Sequence, residues 1–235
     1  MTMLRVAEHF ERSDTGRRRR ANEDAFYARA PLFAVADGVG GAQAGEVASG
    51  IAVEVLQQGL PDDGGSVEER LRARVEEANA RITALARADD ERAGMATTLT
   101  VAYVGEHELS VAHVGDSRLY RLREGSFERL TDDHSMVEEL VRQGKITPEE
   151  ADEHPQRSII TRALGREAGV QPDSHTWRGR DGDLYLLCSD GLTSMVSEAD
   201  VAAIVRDTPS LERAGRALVD AANAAGGRDN ITVVL

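Results

Sequence analysis

Four short apolar runs in this chain each have an aspartate at one end, and that recurrence narrows the possible folds more than any other feature. Leu32-Phe33-Ala34-Val35-Ala36 carries Asp37 into a turn containing Gly38, Gly40 and Gly41. An uncharged run of this length reads as a strand buried on both faces, and the glycines beyond it let backbone carbonyls come close to a ligand. Leu109 to Gly115 precedes Asp116, Leu184 to Ser189 precedes Asp190, and Asp229 stands just before Ile231 to Leu235. Taken singly, such residues are ordinary turn chemistry. Four strand ends converging would instead supply the oxygen ligands that magnesium and manganese prefer.

Charge and cysteine usage remove several classes of function. The 235 residues include 28 Lys and Arg against 41 Asp and Glu, a formal net charge of -13. This argues against a binder of nucleic-acid backbones, whose affinity rests on clustered cations. No apolar run reaches the roughly 20 residues needed to span a bilayer, and the first residues lack a signal peptide's apolar core. The expectation is a soluble, cytoplasmic, single-domain monomer. Cys188 is the only cysteine and lies in an apolar run, so it reads as a small core residue rather than a nucleophile.

Hydrophobic periodicity places the remaining elements. Met3 to Arg12 reads as a first strand, and Arg17 to Arg20 as a solvated basic loop. Asn22-Glu23-Asp24 leads into a strand at Ala25 to Tyr27, from which Asp24 could join Asp37. Val47, Ile51 and Val55 form the stripe of a helix from Glu46 to Gln58. Ser66 and Glu69 have capping-box spacing ahead of a long helix to about Ala88. Strands follow at Ala96 to Val104, Leu109 to Val114, Arg118 to Leu122, Phe127 to Leu130, Val170 to Trp177 and Leu184 to Cys188. His134 opens a helix that Gly144 ends. With no second histidine at helical spacing, it reads as a hydrogen-bonding residue rather than a ligand. The polar stretch 144–158 reads as an insertion, and helices to Arg206 and from Leu211 to Ala225 precede the last strand.

Eight blocks, in order, resemble one family. They are Arg19-Arg20-Ala21-Asn22-Glu23-Asp24, Val35-Ala36-Asp37-Gly38-Val39-Gly40-Gly41, Met95-Ala96-Thr97-Thr98-Leu99, Val114-Gly115-Asp116-Ser117-Arg118, Thr131-Asp132-Asp133-His134-Ser135, Ile160-Thr161-Arg162-Ala163-Leu164-Gly165, Cys188-Ser189-Asp190-Gly191-Leu192 and Arg228-Asp229-Asn230-Ile231-Thr232. The chain resembles the metal-dependent serine/threonine protein phosphatases of the PPM (type 2C) family, in their compact bacterial form. The resemblance implies an α+β fold, an α-β-β-α sandwich of two antiparallel sheets flanked by helices.

It also implies roles. Asp37 would bridge two core Mn2+ or Mg2+ ions and Gly38 would lend one of them its carbonyl. Asp190 and Asp229 would hold one ion, Asp24 the other, with Glu23 acting through water. Asp116 would share a third ion with Asp190. Arg19, selected by its five-residue spacing from Asp24, would grip the substrate phosphate. Two cations about 3.5–4 Å apart lower the pKa of a bridging water, whose hydroxide would attack phosphorus in line. Val39 stands where many eukaryotic members carry a proton-donating histidine, which leaves the acid for the leaving group open. Residues 144–158 resemble the family's variable flap. Phosphoproteins, including a serine/threonine kinase or its targets, would be the partners. The rival readings are a pseudophosphatase or phosphoprotein-binding module, which has no reason to keep all these carboxylates, and a metal-dependent hydrolase of another substrate class.

Overall fold

The computed structural model describes residues 3–40, 44–62, 64–152 and 154–235, leaving the Asp152 side chain aside. Gly41 of the glycine-rich turn and Glu153 within the 144–158 insertion therefore lie outside the described residues. In chain order the strands are β1 (Glu11–Asp14), β2 (Asp24–Arg29), β3 (Leu32–Val39), β4 (Ala96–Thr97), β5 (Leu99–Val104), β6 (Glu108–Val114), β7 (Arg118–Arg123), β8 (Ser126–Arg129), β9 (Asp173–Arg178), β10 (Leu184–Cys188) and β11 (Ile231–Val234). The helices are α1 (Ala44–Gln57), α2 (Val67–Ala88), α3 (Met136–Arg142), α4 (Pro148–Asp152), α5 (Asp190–Thr193), α6 (Glu198–Asp207) and α7 (Leu211–Ala224).

Two antiparallel sheets result, one ordered β1-β11-β10-β7-β8 and the other β2-β3-β5-β6-β9, with β4 attached to β3. Strand alternation explains how they stack. Phe33 and Val35 of β3 point into the space between the sheets, where they pack with Val111, Leu119, Leu187 and Val234. Leu32, Ala34 and Ala36 point the other way, against Ala48, Ala52, Leu71, Val75 and Ile82 of α1 and α2. On the opposite side Val201, Val205, Leu218 and Val219 of α6 and α7 cover Leu186, Ile231 and Val233. The expected α-β-β-α sandwich is present, and β3 is buried on both faces as its composition implied.

The caps follow the sequence. Ser66 and Glu69 form a reciprocal capping box at the start of α2, and Ser197 caps α6. The β7–β8 turn places Glu124 at φ 52° and Gly125 at φ 82°, the left-handed pair that a two-residue hairpin requires.

Three boundaries differ from expectation. Pairing at the N-terminus starts only at Phe10, which exchanges backbone hydrogen bonds with Leu235 (2.9 and 2.8 Å), and β1 itself is Glu-Arg-Ser-Asp. A polar strand on a sheet edge carries no apolar alternation, so the apolar residues ahead of it suggest a strand that starts too early. In α1 the fully buried positions are Ala48, Ala52, Val55 and Leu56, while Val47 and Ile51 flank them half-buried. Small side chains bring the helix against β3, which a stripe of large residues would not allow. The strand expected from Val170 begins at Asp173, and the one expected from Ala96 is broken at Thr98, whose amide turns to the Asp37 carbonyl (2.9 Å).

At the end of the hairpin, Asp183 accepts from Arg123 Nε and Nη2 (2.6 Å each), the Tyr185 hydroxyl (2.8 Å) and the Arg180 amide (2.8 Å). Burial alone would raise its pKa, but hydrogen bonds from Arg123, the Arg180 amide and Tyr185 outweigh it and hold the carboxyl below its ordinary value. A depressed folded-state pKa stabilises above the unfolded value, about 3.9, and that stabilisation is lost as pH falls through the lower folded value. Asp183→Asn is therefore expected to lower the melting temperature at about pH 7, with the difference from wild type shrinking below about pH 4. Thermal denaturation at the two pH values checks this; an unchanged difference would contradict it.

Candidate active site

The carboxylates meet at one end of the sandwich because both sheets deliver them there. Antiparallel pairing of β2 with β3 sets Asp24 directly opposite Asp37. From the other sheet, Asp190 follows β10 as the first residue of α5, and Asp229 lies just ahead of β11. Asp37 and Asp190 lie close enough for each to act on the other's charge. Asp116 sits in the turn after β6 and is buried, close enough to Asp190 to feel its charge.

One expectation about Asp37 needs correcting. It does not end its strand, since β3 continues to Val39 by pairing Gly38 with Thr97 and Val39 with Ala96 of β4. Its amide donates to Thr98 Oγ1 (2.9 Å). What permits the continuation is Gly38, where a Cβ would lie 2.3 Å from the Gly45 carbonyl oxygen and 2.6 Å from that of Glu23. Gly38→Ala is accordingly expected to cost about 3 kcal/mol of stability, because both obstacles are backbone. A thermal melt with less than a quarter of that loss would show that α1 can move away.

Burial and like charge set the electrostatics. Burial, then repulsion from Asp190 and Asp229, raises Asp24 to about 7 despite hydrogen bonds from Thr232 Oγ1 (2.6 Å) and Ser189 Oγ (2.8 Å). Asp37 is pushed well above the carboxylate range by burial and then by Asp24, Asp190, Asp116 and Asp229. Asp116 is raised likewise by burial and Asp190, and Asp190 by burial and Asp229. Such a cluster calls for positive charge.

The donor set fits a hard divalent cation. Asp24 Oδ1, Asp116 Oδ1 and Asp190 Oδ1 are buried without a hydrogen-bond partner, each an acceptor whose desolvation nothing in the chain offsets. Among the described residues, no three His, Cys, Asp or Glu side chains are arranged to hold one ion by themselves. An ion here would depend on retained water and backbone oxygen as well as carboxylate, which is how magnesium is usually bound.

Glu23 and Arg19 lie at the rim. The Glu23 amide donates to Asn230 Oδ1 (2.8 Å), and its carbonyl accepts from Gly38 N (3.2 Å) and Ser49 Oγ (2.6 Å). Burial, opposed by Arg19, raises its side-chain pKa. Arg19 is exposed, and its Nη2 pairs with Asp229 Oδ2 at 2.7 Å. Sequence reasoning missed the polar frame of Ser49, Thr98, Ser189, Asn230 and Thr232. Thr98, Ser189, Asn230 and Thr232 lie within the blocks that resemble the family, without a role assigned to them, and Ser49 carried no signal.

His134 is a hydrogen-bonding residue, as its isolation suggested. Burial lowers its pKa, and Nδ1 accepts from the Gly115 amide (3.0 Å). The proton of the neutral ring is thus on Nε2, 3.1 Å from Asp173 Oδ2. His134 thereby ties the Asp116 turn to β9. Cys188 is buried, with its thiol pushed up to about 12 by burial.

Against known proteins, the protein phosphatase 2C family profile matches residues 16–224. The chain belongs to the protein phosphatase 2C family. It is 43% identical to the serine/threonine protein phosphatase PstP of Mycobacterium tuberculosis over 98% of its own length, but spans only 45% of that protein. With the serine/threonine phosphatase stp of Listeria welshimeri it shares 40% identity, covering 95% of this chain and 93% of that one. The crystal structure of the PstP catalytic domain in complex with two manganese ions superposes with a TM-score of 0.88 at 41% identity, covering 97% of this chain and 96% of that one. No helix among the described residues is long and apolar enough to cross a membrane.

Proposed function

We propose that this chain hydrolyses phosphoserine and phosphothreonine in proteins with the help of Mn2+ or Mg2+. The observation that carries the reading is the cluster Asp24, Asp37, Asp116 and Asp190, in which three carboxylate oxygens are buried with no partner among the described residues. Asp37, between the two sheets' contributions, would serve both core ions. Asp190 and Asp229 would hold one, Asp24 the other, and Asp116 with Asp190 a third. Gly38 would add its carbonyl, and Glu23 would act through water.

When bound, the ions supply neutralisation of the phosphoryl oxygens and activation of water. The chain's own part is to orient and to exclude. Arg19, at the rim and held beside Asp229, has the planar fork that matches two phosphate oxygens. Val39 cannot donate a proton, so the leaving alkoxide takes its proton from another group. With its thiol raised to about 12, Cys188 is not a nucleophile, and the reaction needs no covalent phosphoenzyme.

The family's relatives named as serine/threonine phosphatases support phosphoproteins as substrates. We place the activity in the cytoplasm, in a monomer of one catalytic domain, opposing a serine/threonine kinase. Residues 144–158, whose Thr147 and Glu150 cap α4, would form the substrate-side flap. The test is hydrolysis of a phosphothreonine peptide with Mn2+, with Mg2+ and with a chelator. Turnover that the chelator abolishes and Mn2+ restores is expected; chelator-resistant turnover would overturn the reading.

A further inference from the structure

In a chain of net charge -13, four exposed arginines beside the candidate site have no ion-pair partner among the described residues: Arg17, Arg18, Arg20 and Arg228. Other exposed arginines, Arg29, Arg157 and Arg213 among them, also lack an ion pair among the described residues, so the missing partner alone does not set these four apart. These four differ in where they are fixed. The amides of Arg17 and Arg18 both donate to the Gly227 carbonyl (2.7 and 3.2 Å), which pins the 17–20 loop to the segment leading into β11. Gly227 is left-handed (φ 50°), and the space a Cβ would fill is taken by Arg17 Cγ. Arg228 Cγ lies against the neighbouring Gly226, and Arg19 reaches Asp229. Two loops distant in sequence are thus held together, and between them they carry Arg19 and four further arginines. The charges facing them are Asp14, which Arg12 also engages, and Glu23 and Asp229 around Arg19.

We propose that this basic rim selects phosphopeptides bearing further negative charge close to the phosphorylated residue, whether aspartate, glutamate or a second phosphate. The proposal rests on the reading of the site as a phosphoprotein hydrolase. An anionic peptide approaching this protein is repelled by the molecule as a whole, so it needs local cations to enter. Guanidinium forks donate to carboxylate and to phosphate oxygens alike. Each exposed pair contributes little alone, and four on two adjoining loops add up to a measurable preference. Arg19 is kept for the scissile phosphate, and the other four read its surroundings. A nucleic acid is disfavoured as the occupant by the overall negative charge.

The experiment compares kcat/KM for three phosphothreonine peptides, with neutral flanks, with acidic flanks and with a second phosphate, alongside p-nitrophenyl phosphate. Wild type is set against the fourfold Arg17→Gln, Arg18→Gln, Arg20→Gln, Arg228→Gln variant. The Arg18→Gln, Arg20→Gln pair, whose side chains hold nothing in the fold, covers the case in which the fourfold variant does not fold. Wild type is expected to favour both anionic peptides about tenfold, through KM, which corresponds to about 1.4 kcal/mol. The preference should shrink between about 50 and about 500 mM salt as the charges are screened, the Debye length being about 10 Å at 0.1 M and shorter above it. In the variants it should fall, with p-nitrophenyl phosphate and the neutral peptide unchanged. Favouring the carboxylate peptide alone or the doubly phosphorylated one alone would identify the source of the charge and support the rim. Equal rates on all three peptides, or a preference that survives the fourfold variant, would overturn the rim and leave the phosphatase reading standing. No hydrolysis of any substrate by metal-loaded wild type would overturn both.

Discussion

Asp37→Asn is expected to lower kcat on a phosphothreonine peptide by about 10^3-fold or more, roughly 4 kcal/mol of transition-state stabilisation, while the protein stays folded. The substituted amide side chain would keep the shape, and the bond to Thr98 Oγ1 would survive because it belongs to the backbone N–H rather than to the carboxylate. What goes is the charge at the point where the two sheets' carboxylates meet, Asp24 opposite Asp37 in register and Asp190 near enough to act on its charge. Stability should respond differently from activity. Burial and four neighbouring aspartates already drive the Asp37 carboxyl toward its neutral form in the absence of cations. The melting temperature of the chelator-treated variant should therefore remain within about 3 °C of wild type, a difference near 1 kcal/mol for a chain of this size. Adding Mn2+ should stabilise wild type by about 2.7 kcal/mol at a hundredfold excess over Kd, and the variant by much less. A variant with wild-type kcat would remove Asp37 from the centre of the account.

The second large effect is on stability. Asp133→Asn is expected to cost about 3–5 kcal/mol, a fall in melting temperature of roughly 6–20 °C. Asp133 is buried, and Arg118 Nε and Nη2 reach both its oxygens at 2.7 to 3.0 Å. Arg129 stands 3.7 Å away as a second partner, and Arg118 also donates to the Tyr120 hydroxyl (3.2 Å). Removing one charge leaves a largely buried guanidinium uncompensated, which costs far more than losing a surface pair. Arg118 lies two residues after Asp116 and Asp133 next to His134, whose amide donates to the Gly115 carbonyl (2.7 Å), so loss of the pair should also loosen that turn. A fall of less than about 1 kcal/mol in chemical denaturation would mean that Arg129 and water replace Asp133.

What could be read from the residues depended on whether their order carried a period. The unbroken apolar run of β3, the stripe of α2 and the cap at Ser66 are local patterns, and the structure has them where the sequence put them. β1 could not be seen, because a polar edge strand has no period and is defined by its partner β11, more than 200 residues away. In α1 the large residues misled, because helix-to-sheet distance at Gly38 and Gly45 is set by what is absent, a Cβ. At the site, aspartates following apolar runs were legible as a group. The hydroxyls of Ser189 and Thr232 that support Asp24 were not, because serine and threonine occur everywhere and only the three-dimensional register gives these two a shared target. The Arg118–Asp133 pair was hidden for the same reason, its members lying in two different motifs.

The most direct test of the central claim is a calorimetric titration of Mn2+ into chelator-stripped protein, wild type beside Asp37→Asn and Asp190→Ala, each checked for folding. If the buried carboxylates are the metal centre, wild type takes up at least two ions and both variants lose stoichiometry or affinity by an order of magnitude or more. Equal binding by all three folded proteins would place the ions elsewhere and contradict the account.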